Sequence, residues 1–324
     1  MAVSTEAAIS KKDANKIRRK AEKSKKRLTE ISIGWNAVFL LILTVGVLLT
    51  VLPVAIIVIV SFSSKESIAY AGYSFFPTGW STEGYAIMFK MGRQLVQSYF
   101  VSIGYSVSGT AVSLLIMSLY AYVLLQKKFI PRKFLTWFMF FTMIFNGGLV
   151  PSYILHTRYL HLNDTFLLFV VSNAAACYSI IILRTFMKTT VPDSLIESAC
   201  IDGAGHFRIY LTIVMPLLKA GLATMGLFAF VMRWNDWFLA FFYNTDQNLI
   251  PLQTLLYRMI KKVEYFTNGD PMSNTPEMQL ILRNLPKANL RMAVTVMVVV
   301  PIIFAYPFFQ RYFEKGMLVG SLKE

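Results

Sequence analysis

Six long apolar stretches constrain the fold of this chain more than any other feature of its sequence. They lie at about residues 34–62, 97–125, 134–155, 165–187, 213–240 and 290–312. A helix needs about 20 mostly apolar residues to cross a bilayer, and only 15% of the residues here are charged, against about 25% in soluble proteins. Since a backbone in lipid must satisfy its own hydrogen bonds, the sequence predicts an all-α membrane protein with six transmembrane helices.

The distribution of Lys and Arg predicts on which side of the membrane the chain ends lie. There are 32 Lys and Arg against 17 Asp and Glu, a net charge of +15. If both termini are cytoplasmic, the inner segments hold 20 of the basic residues and the outer segments hold 10. Basic residues concentrate in the cytoplasmic loops of membrane proteins. The charge therefore indicates an inside tail at a membrane face rather than a nucleic-acid-binding protein.

The spans divide the chain into four segments. Ten basic residues between Lys11 and Arg27 predict a cytoplasmic tail beside anionic lipid. The apolar run from Trp35 to Val60 is far longer than the roughly 7–15 residues of a signal-peptide core, so it is an uncleaved span. The predicted segments are a basic tail (1–30), a first span with an outer loop (31–94), the main transmembrane domain (95–313) and a cytoplasmic C-terminal tail (314–324).

Nothing in the sequence indicates a catalytic or metal site. His156, His161 and His206 show no ligand spacing, and Cys177 and Cys200 imply no disulfide framework. No phosphate-binding loop of the form G-x-x-x-x-G-K-[ST] occurs. We therefore expect a non-catalytic protein that binds no metal and no cofactor of its own.

A charged segment between the fourth and fifth spans predicts a helix–turn–helix elbow on the cytoplasmic face. One short helix runs from Pro192 to Ile201, with Asp193 and Glu197 near its positive N-terminal end. Gly203 stops it, and a second helix covers about Phe207–Met215. Interfacial helices that lie on lipid favour Lys and Arg on their polar face, whereas this segment leads with acids. We therefore favour docking onto another protein over a lipid-surface hairpin.

The spacing of this segment resembles the motif of binding-protein-dependent ABC importer permeases, which is EAA, three residues, G, nine residues, I, one residue, LP. Here the chain reads Glu197-Ser198-Ala199, three residues, Gly203, nine residues, Ile213, Val214 and Met215-Pro216. Every gap matches, with Ser198 in place of Ala and Met215 in place of Leu. The D-G-A form common in the family is also present, as Asp202-Gly203-Ala204.

Two further segments narrow the resemblance to carbohydrate-importer permeases of the maltose type. Phe145–Tyr153 and Arg233–Trp237 are similar to segments of that family, in the branch for oligosaccharides and polysaccharide fragments. The chain also looks similar to permeases for acidic polysaccharides such as alginate or pectin fragments. The resemblance covers roughly residues 95–324 and implies the type I ABC importer permease fold. It also implies a multi-pass protein of the bacterial cytoplasmic (inner) membrane with both termini cytoplasmic.

The family resemblance implies that the elbow is a coupling helix seated on a separate ATPase subunit, which binds the ATP and Mg²⁺. The implied partners are an ATPase dimer, a second homologous permease subunit, an extracytoplasmic solute-binding protein, the oligosaccharide and the lipid bilayer. The residues that the motif assigns to coupling are Glu197, Ser198, Ala199, Asp202, Gly203, Ala204, Ile213 and Pro216.

Polar and aromatic residues within or beside the spans are candidates for the substrate pathway, because such groups in a membrane often mark one. They are Asn146, Tyr153, Asn173, Arg233, Trp234, Asn235 and Asp236. Two alternatives stay open: Arg233 and Asp236, three residues apart on a helix, could pair with each other, and Trp234 or Trp237 could be an interfacial anchor.

The long outer segment, residues 244–289, predicts a short helix near Leu252–Lys262 and is either functional or a solvated cover. Its basic residues, together with one that follows it, favour an anionic sugar or an acidic surface on the binding protein. These residues are Arg258, Lys261, Lys262, Arg283, Lys287 and Arg291. We therefore expect uronate oligosaccharides of the alginate type, with neutral oligosaccharides as the alternative.

Two other classes of membrane protein fit the sequence less well. A secondary sugar transporter driven by an ion gradient needs no charged elbow of this register and would carry acids in mid-span, where Asp236 is the one clear candidate. A membrane-embedded enzyme would need a metal cluster, a Ser/Lys dyad or paired acids in its spans. The sequence favours the ATP-driven importer over both.

Overall fold

The computed structural model describes residues 33–268 and 287–321. The predicted basic tail, residues 1–30, and Arg283 lie outside these ranges. Within them the chain is almost entirely helical, with one isolated β-bridge between Ser63 and Trp80. The all-α prediction is confirmed.

The helices follow in a simple order along the chain. They are α1 (Ile33–Ser61), α2 (Lys65–Ala71), α3 (Glu83–Lys90), α4 (Arg93–Leu125), α5 (Arg132–Ile144), α6 (Leu149–Ile154), α7 (Phe166–Val171), α8 (Cys177–Thr190), α9 (Asp193–Ile201), α10 (His206–Ile209), α11 (Met215–Leu217), α12 (Lys219–Trp234), α13 (Phe238–Tyr243), α14 (Leu252–Asn268) and α15 (Lys287–Ser321). Two π-helical turns, Leu155–Tyr159 and Tyr210–Val214, follow α6 and α10. A 3₁₀ turn covers Gln247–Leu249.

Three of the predicted spans are continuous helices. Gly34–Ser61, Arg93–Leu125 and Lys287–Pro307 are each long and apolar enough to cross a membrane. Pro53 lies inside α1, and Pro301 and Pro307 lie inside α15, without ending either helix. Neighbouring groups can re-satisfy the backbone at a proline in a membrane helix. Pro53, Pro301 and Pro307 therefore do not break the helices that contain them.

Two other predicted spans are bent pairs of helices. Arg132–Ile144 and Leu149–Tyr159 meet at 117°, and His206–Leu217 and Lys219–Trp234 meet at 81°. If each bent pair is one span, the described ranges contain up to five. The predicted span at 134–155 is therefore interrupted by the Asn-Gly-Gly sequence at 146–148, where Gly148 has φ +86°.

The fourth predicted span, 165–187, is not one continuous helix. It consists of α7 and α8, six and 14 residues long, which are separated by an irregular stretch around Asn173. Asn173 has φ +57°, a conformation that a helix cannot contain. The apolar run predicted a span at this position but not the break within it, because hydropathy does not show whether a backbone stays helical.

Helix α1 is apolar along nearly its whole length. Two hydroxyl groups inside it are satisfied locally, because Thr44 donates to the carbonyl of Leu40 at 2.7 Å and Thr50 to that of Val47 at 2.8 Å. Its side chains from Val38 to Val54 are mostly exposed in the single chain. These features suit a helix whose sides face lipid or another subunit.

Helix α4 lies at the centre of the packed helices and contacts α7, α8, α12 and α14. Many of its small residues are buried, which suits close helix packing in a membrane. They are Ser98, Ser102, Ser106, Gly109, Thr110, Ser113 and Ser118. Because small side chains let backbones approach closely, α4 can be surrounded on several sides.

Helix α14 confirms the predicted helix near Leu252–Lys262 and extends it to Asn268. Leu252, Leu255 and Leu256 are buried at the i, i+3 and i+4 spacing of one helix face. They pack in a cluster with Trp234 and Leu290. The outer segment is thus attached to the ends of the fifth and sixth spans rather than being only a solvated cover.

Asn289, at the start of α15, joins three elements. Its side-chain amide donates to the carbonyls of Ser61 at 2.9 Å and Ser63 at 2.6 Å, where α1 ends. Gly84 of α3 lies so close that an added Cβ would meet Asn289 Oδ1. Because Asn289 is 1% exposed, water cannot replace these hydrogen bonds.

We expect Asn289→Ala to lower the free energy of unfolding by about 2–3 kcal/mol, because it leaves two buried backbone carbonyls unsatisfied. Thr295→Ala, on the same helix, removes only an intrahelical bond to Arg291 and serves as the control. Thermal unfolding of the detergent-solubilised protein measures both. Equal midpoints for the two variants would show that Asn289 does not hold this junction.

Candidate functional site

The elbow forms with local signals at both of its ends. Helix α9 begins directly after Pro192 and carries Asp193 in its first turn, where a carboxylate is favoured by the helix dipole. It ends at Ile201, and the chain then turns at Gly203, which has φ +78°, a conformation in which other residues are strained. The amide of Ala204 then donates to the carbonyl of Ala199 at 2.9 Å. The turn therefore uses glycine as the sequence predicted.

The elbow has a seated face and a projecting face. Ile196, Ala199 and Ala204 pack against the hydrophobic cluster formed by α4, α8 and the start of the fifth span. Glu197 is exposed, and Ile201 and Phe207 are 86% and 67% exposed. Large exposed apolar side chains beside an acid are typical of a protein-docking surface.

The other motif residues divide between these two faces. Ser198, Asp202 and Pro216 are exposed, and Ile213 is half-buried against the same cluster. The second arm is not the single helix predicted over Phe207–Met215. It is a short helix followed by a π-helical turn, Tyr210–Val214, a form that often occurs at functional sites.

An ion pair joins the elbow to the loop that follows α4. Lys127 Nζ lies 2.7 Å from Asp193 Oδ2, and both side chains are exposed. The hydrogen bond and charge of Lys127 lower the pKa of Asp193, and those of Asp193 raise the pKa of Lys127. Exposed pairs of this kind contribute little to stability, so this pair orients the elbow more than it stabilises it.

The candidate pathway residue Asn146 lies in the break between α5 and α6. Its Oδ1 accepts a hydrogen bond from the amide of Gly148 at 2.9 Å, so the side chain replaces a helical bond. Asn146, Gly147 and Gly148 are all exposed in the single chain. Irregular backbone at membrane depth is tolerated only where it is buried in protein or lines a water-filled cavity. If this break lies at membrane depth, it is expected to face protein or water rather than lipid, and its place beside the pathway stays a prediction.

Tyr153, the second candidate, belongs to an aromatic and hydroxyl cluster beyond the same break. Its ring lies 5.4 Å from that of Tyr243, which also contacts His156 at 5.4 Å. Tyr243 Oη donates to Ser152 Oγ at 3.2 Å. Tyr153 is 44% exposed, so one side of this cluster is open to a ligand.

Arg233 lies in the centre of the packed helices and is 5% exposed. Its Nη1 donates to the carbonyl of Ala229 at 3.2 Å, and its Nη2 donates to Ser113 Oγ and to the carbonyl of Asn173 at 3.2 Å. The guanidinium thus joins α12, α4 and the break between α7 and α8. The contact of Arg233 with the candidate residue Asn173 is made to the backbone carbonyl of Asn173.

Arg233 packs directly on Gly109 of α4. A Cβ added to Gly109 would meet Arg233 Nε and would lie 2.8 Å from its Cδ. The glycine is therefore required by the close approach of a bulky side chain. The Ser- and Gly-rich sequence of α4 indicated close packing, but nothing in it identified Arg233 as the neighbour.

Arg233 and Asp236 do not form an ion pair among the residues that the structure describes. Asp236 Oδ2 instead accepts from Tyr105 Oη at 2.8 Å, and its Oδ1 accepts from the amides of Phe238 and Leu239 at 2.9 and 3.1 Å. The carboxylate thus caps the start of α13. Arg233 and Asp236 therefore have separate partners instead of pairing with each other: Arg233 contacts α4 and the break at Asn173, and Asp236 binds Tyr105 and the start of α13.

The last two candidates differ in exposure. Trp234 is 2% exposed and its Nε1 donates to the carbonyl of Val298 at 3.0 Å, so in this conformation it holds α12 against α15. Asn235 is exposed, and its Oδ1 accepts from Gln253 of α14 at 3.1 Å. That either lines the pathway stays a prediction. Trp237, the other candidate anchor, stacks on Tyr257 with ring centroids 4.0 Å apart.

The outer basic residues are partly engaged within the chain. Glu264 pairs with Lys261 at 3.0 Å and with Arg291 at 3.1 Å, and these contacts lower the pKa of Glu264. Arg258 donates to the carbonyl of Asn244 at 2.9 Å. The positive field of this face is therefore weaker than the count of basic residues suggests.

A second outer contact closes the loop after α13. The Asp164 carboxylate accepts hydrogen bonds from the amide of Asp246 at 2.9 Å and from the amide and hydroxyl of Thr245. These bonds lower the pKa of Asp164, and the amide of Asp246 contributes most. Within the residues that the structure describes, no group of three or more His, Cys, Asp or Glu could hold a metal ion.

The family model described as "Binding-protein-dependent transport system inner membrane component" matches residues 111–319. The chain is 34% identical over 279 residues to the polygalacturonan/rhamnogalacturonan transport system permease protein YtcP of Bacillus subtilis, covering 85% of this chain and 93% of that protein. It is also 34% identical over 276 residues to protein LplC of the same organism, covering 85% and 90%.

A solved structure shares the fold. It is the crystal structure of a bacterial ABC transporter involved in the import of the acidic polysaccharide alginate, and the chain matches it with a TM-score of 0.72 and 27% identity. The match covers 88% of this chain and 99% of that one. The predicted fold, that of a type I ABC importer permease, is confirmed.

We expect Gly109→Ala to lower the free energy of unfolding by about 1–3 kcal/mol, because the added methyl group displaces Arg233 from its three acceptors. Gly104→Ala, on the same helix, is the matched control, since its Cβ would make an ordinary 3.4 Å contact with Phe166. Thermal unfolding in detergent compares the two. If both variants unfold alike, Gly109 is not the cradle of Arg233.

Proposed function

This chain belongs to the family of binding-protein-dependent transport system inner membrane components, and on that premise we propose that it is one permease subunit of an ATP-driven importer of acidic oligosaccharides. In this role it forms part of the membrane pathway and does not itself hydrolyse ATP. ATP and Mg²⁺ are bound by a separate ATPase subunit. The same role implies a second homologous permease subunit and an extracytoplasmic solute-binding protein.

The projecting face of the elbow is the observation that supports this proposal most strongly. Glu197, Ile201 and Phe207 are directed away from the packed helices although two of them are large and apolar. An acid flanked by exposed apolar side chains fits a cleft with a basic group on another protein. The assignment of Glu197 to coupling rests on this geometry together with the motif, and the assignment of Ala199 and Gly203 rests on the motif.

The orientation of the subunit follows from the same proposal. The elbow docks on the ATPase in the cytoplasm, so the segments 1–30 and 314–324 are also cytoplasmic. The helix α14 then faces the binding protein on the outer side. The break at Asn146 and the cluster around Tyr153 border the pathway between them. Residues 95–313 form the transmembrane domain in this arrangement.

Ion-gradient transport is the weaker candidate. Within the described spans the predicted mid-span acid is Asp236, and its carboxylate is occupied by Tyr105 and by two backbone amides. A coupling acid must be able to exchange its ion or proton with the pathway. No feature of the described helices favours this alternative over the elbow.

The substrate class is inferred from two kinds of observation. The relative YtcP is named for polygalacturonan and rhamnogalacturonan transport, and the similar structure belongs to an importer of alginate; both are acidic polysaccharides. Between Asn244 and Arg291 the sequence also carries six basic residues against four acids, an excess that suits anionic cargo. We propose uronate oligosaccharides, of the alginate or the pectin kind, over neutral ones.

A competition assay tests this substrate class. In liposomes that contain the complete importer and its binding protein, uptake of labelled trigalacturonate is measured against unlabelled trimannuronate, maltotriose and raffinose. We expect the uronate trimer to compete at least tenfold more effectively than either neutral sugar, because a site built for a carboxylate strongly rejects an analogue that lacks it. Stronger competition by maltotriose or raffinose would contradict the uronate assignment.

We expect Glu197→Lys to lower binding-protein-stimulated ATP hydrolysis more than tenfold, because a like charge placed against the basic group of the ATPase costs several kcal/mol. Membrane insertion is expected to be unchanged, since Glu197 is exposed. Glu66→Lys reverses an exposed acid on α2 and is the control. Stimulated hydrolysis at the wild-type rate in the Glu197 variant would remove Glu197 from the coupling site.

A further inference from the structure

A buried pair of hydroxyl groups connects the elbow to α4. Tyr210 Oη lies 2.7 Å from Ser118 Oγ, and the two residues are 1% and 0% exposed. Ser118 also donates to the carbonyl of Leu114 at 2.5 Å, which uses its single proton. Tyr210 must therefore be the donor in the pair. The result is a directed chain of bonds from the elbow to the backbone of α4.

A second polar contact lies one turn further along the same face of α4. Tyr122 Oη is 3.3 Å from His206 Nδ1, and the ring of Tyr122 lies 5.5 Å from that of Tyr210. Ser118 and Tyr122 are four residues apart and so share one helix face. The arm of the elbow formed by His206 and Tyr210 is thus fixed in direction as well as in position.

The other arm of the elbow is held less specifically. Helix α9 contacts the hydrophobic cluster through Ile196 and Ala199, and such apolar contacts have no preferred direction. Its ion pair with Lys127 is exposed and is weakened by solvent. Among the residues that the structure describes, the fully buried polar contact between elbow and spans is therefore that of Tyr210 with Ser118, whereas the contact of His206 with Tyr122 is only partly buried.

Tyr210 also touches the projecting face. The exposed ring of Phe207 lies 6.5 Å from that of Tyr210, so a partner seated on Phe207 presses on the residue that holds Ser118. Five residues before Ser118, the same helix supplies Ser113 to Arg233. The contacts thus run from the docking face through α4 to the break between α7 and α8.

We propose that Tyr210 and Ser118 are positioning residues through which movement of the elbow is passed to α4. The proposal rests on the proposed function, because it assumes that an ATPase moves the elbow. It goes beyond the coupling motif, in which neither residue was assigned a role. In this proposal, the hydrogen bond between the two hydroxyl groups determines the ratio of substrate transported to ATP hydrolysed.

The test uses the complete importer with its ATPase and binding protein in liposomes, and a mixture of trigalacturonate and trimannuronate as the probe. Tyr210→Phe and Ser118→Ala each remove one hydroxyl. We expect either variant to lower the ratio of uronate transported to ATP hydrolysed by about three- to tenfold, the factor that one buried neutral hydrogen bond is worth. The double variant is expected to be no worse than either single one, because both remove the same bond.

Two matched controls separate this bond from general packing. Tyr120→Phe removes a hydroxyl of α4 that donates to the carbonyl of Leu135 at 3.0 Å and not to the elbow. Ser108→Ala removes a hydroxyl that donates only within α4, to Gly104. Both controls are expected to keep the wild-type transport ratio.

The outcomes distinguish this inference from the proposed function. A wild-type complex without ATP-dependent uptake would contradict the proposed function itself. If the wild type transports and Tyr210→Phe keeps its ratio, the inference alone is overturned. It is also overturned if transport and hydrolysis fall together with complex yield in both Tyr210→Phe and Ser118→Ala, because loss of folding leaves the ratio unchanged. Additive losses in the double variant would show two separate contacts and would overturn the shared bond.

Discussion

The guanidinium group of Arg233 is the interaction on which the arrangement of the central helices depends, because it joins α4, α12 and the break between α7 and α8 at a buried point. A buried charge is costly unless its polar atoms are well satisfied. Here the acceptors are the carbonyls of Ala229 and Asn173 and the hydroxyl of Ser113. The carbonyl of Asn173 is free to accept only because the helix is broken there. The charge and the break therefore stabilise each other, and α4 must be narrow at Gly109 to admit the side chain.

The need to satisfy buried polar groups also explains where the irregular backbone lies. In lipid each unsatisfied amide or carbonyl is expensive, and the breaks are matched by side chains that replace the lost bonds. Asn146 Oδ1 accepts from the amide of Gly148, and Asp236 caps the start of α13. At these two breaks the side chain that replaces the lost hydrogen bond lies next to the break. At Asn173 the replacing side chain is that of Arg233, 60 residues away in sequence. Local substitutes let a segment bend independently, whereas a remote one ties the movement of one span to that of another.

The difference between local and remote partners also decides what could be predicted from the sequence. The elbow was predictable because Pro192, Asp193 and Gly203 act within one helix and its turn. The apolar runs likewise located the three continuous spans and the two bent pairs of helices. The break at 172–176 and the second arm's π-helical turn were missed, because each depends on packing against α4 that no run of residues reveals. Arg233 was identified as a candidate, but its acceptors were not, since an acidic neighbour three residues away was the obvious partner. Of the four large apolar and aromatic residues of the elbow, Ile196 and Tyr210 belong to the seated side, whereas Ile201 and Phe207 are exposed.

That division of the apolar residues has a mechanical consequence. If all four lay on the projecting face, the elbow would be held to a partner more firmly than to its own spans, and a moving partner would pull it away from the body of the subunit. Instead Ile196 and Tyr210 anchor it, while Ile201 and Phe207 are left for docking. Apolar contacts resist separation but permit sliding, and a hydrogen bond resists both because it depends on distance and angle. On the proposed function, a seat made of both kinds, with its hydrogen bond on the arm that continues into the fifth span, would convert a push on the elbow into rotation or tilt of whole helices rather than into local slippage.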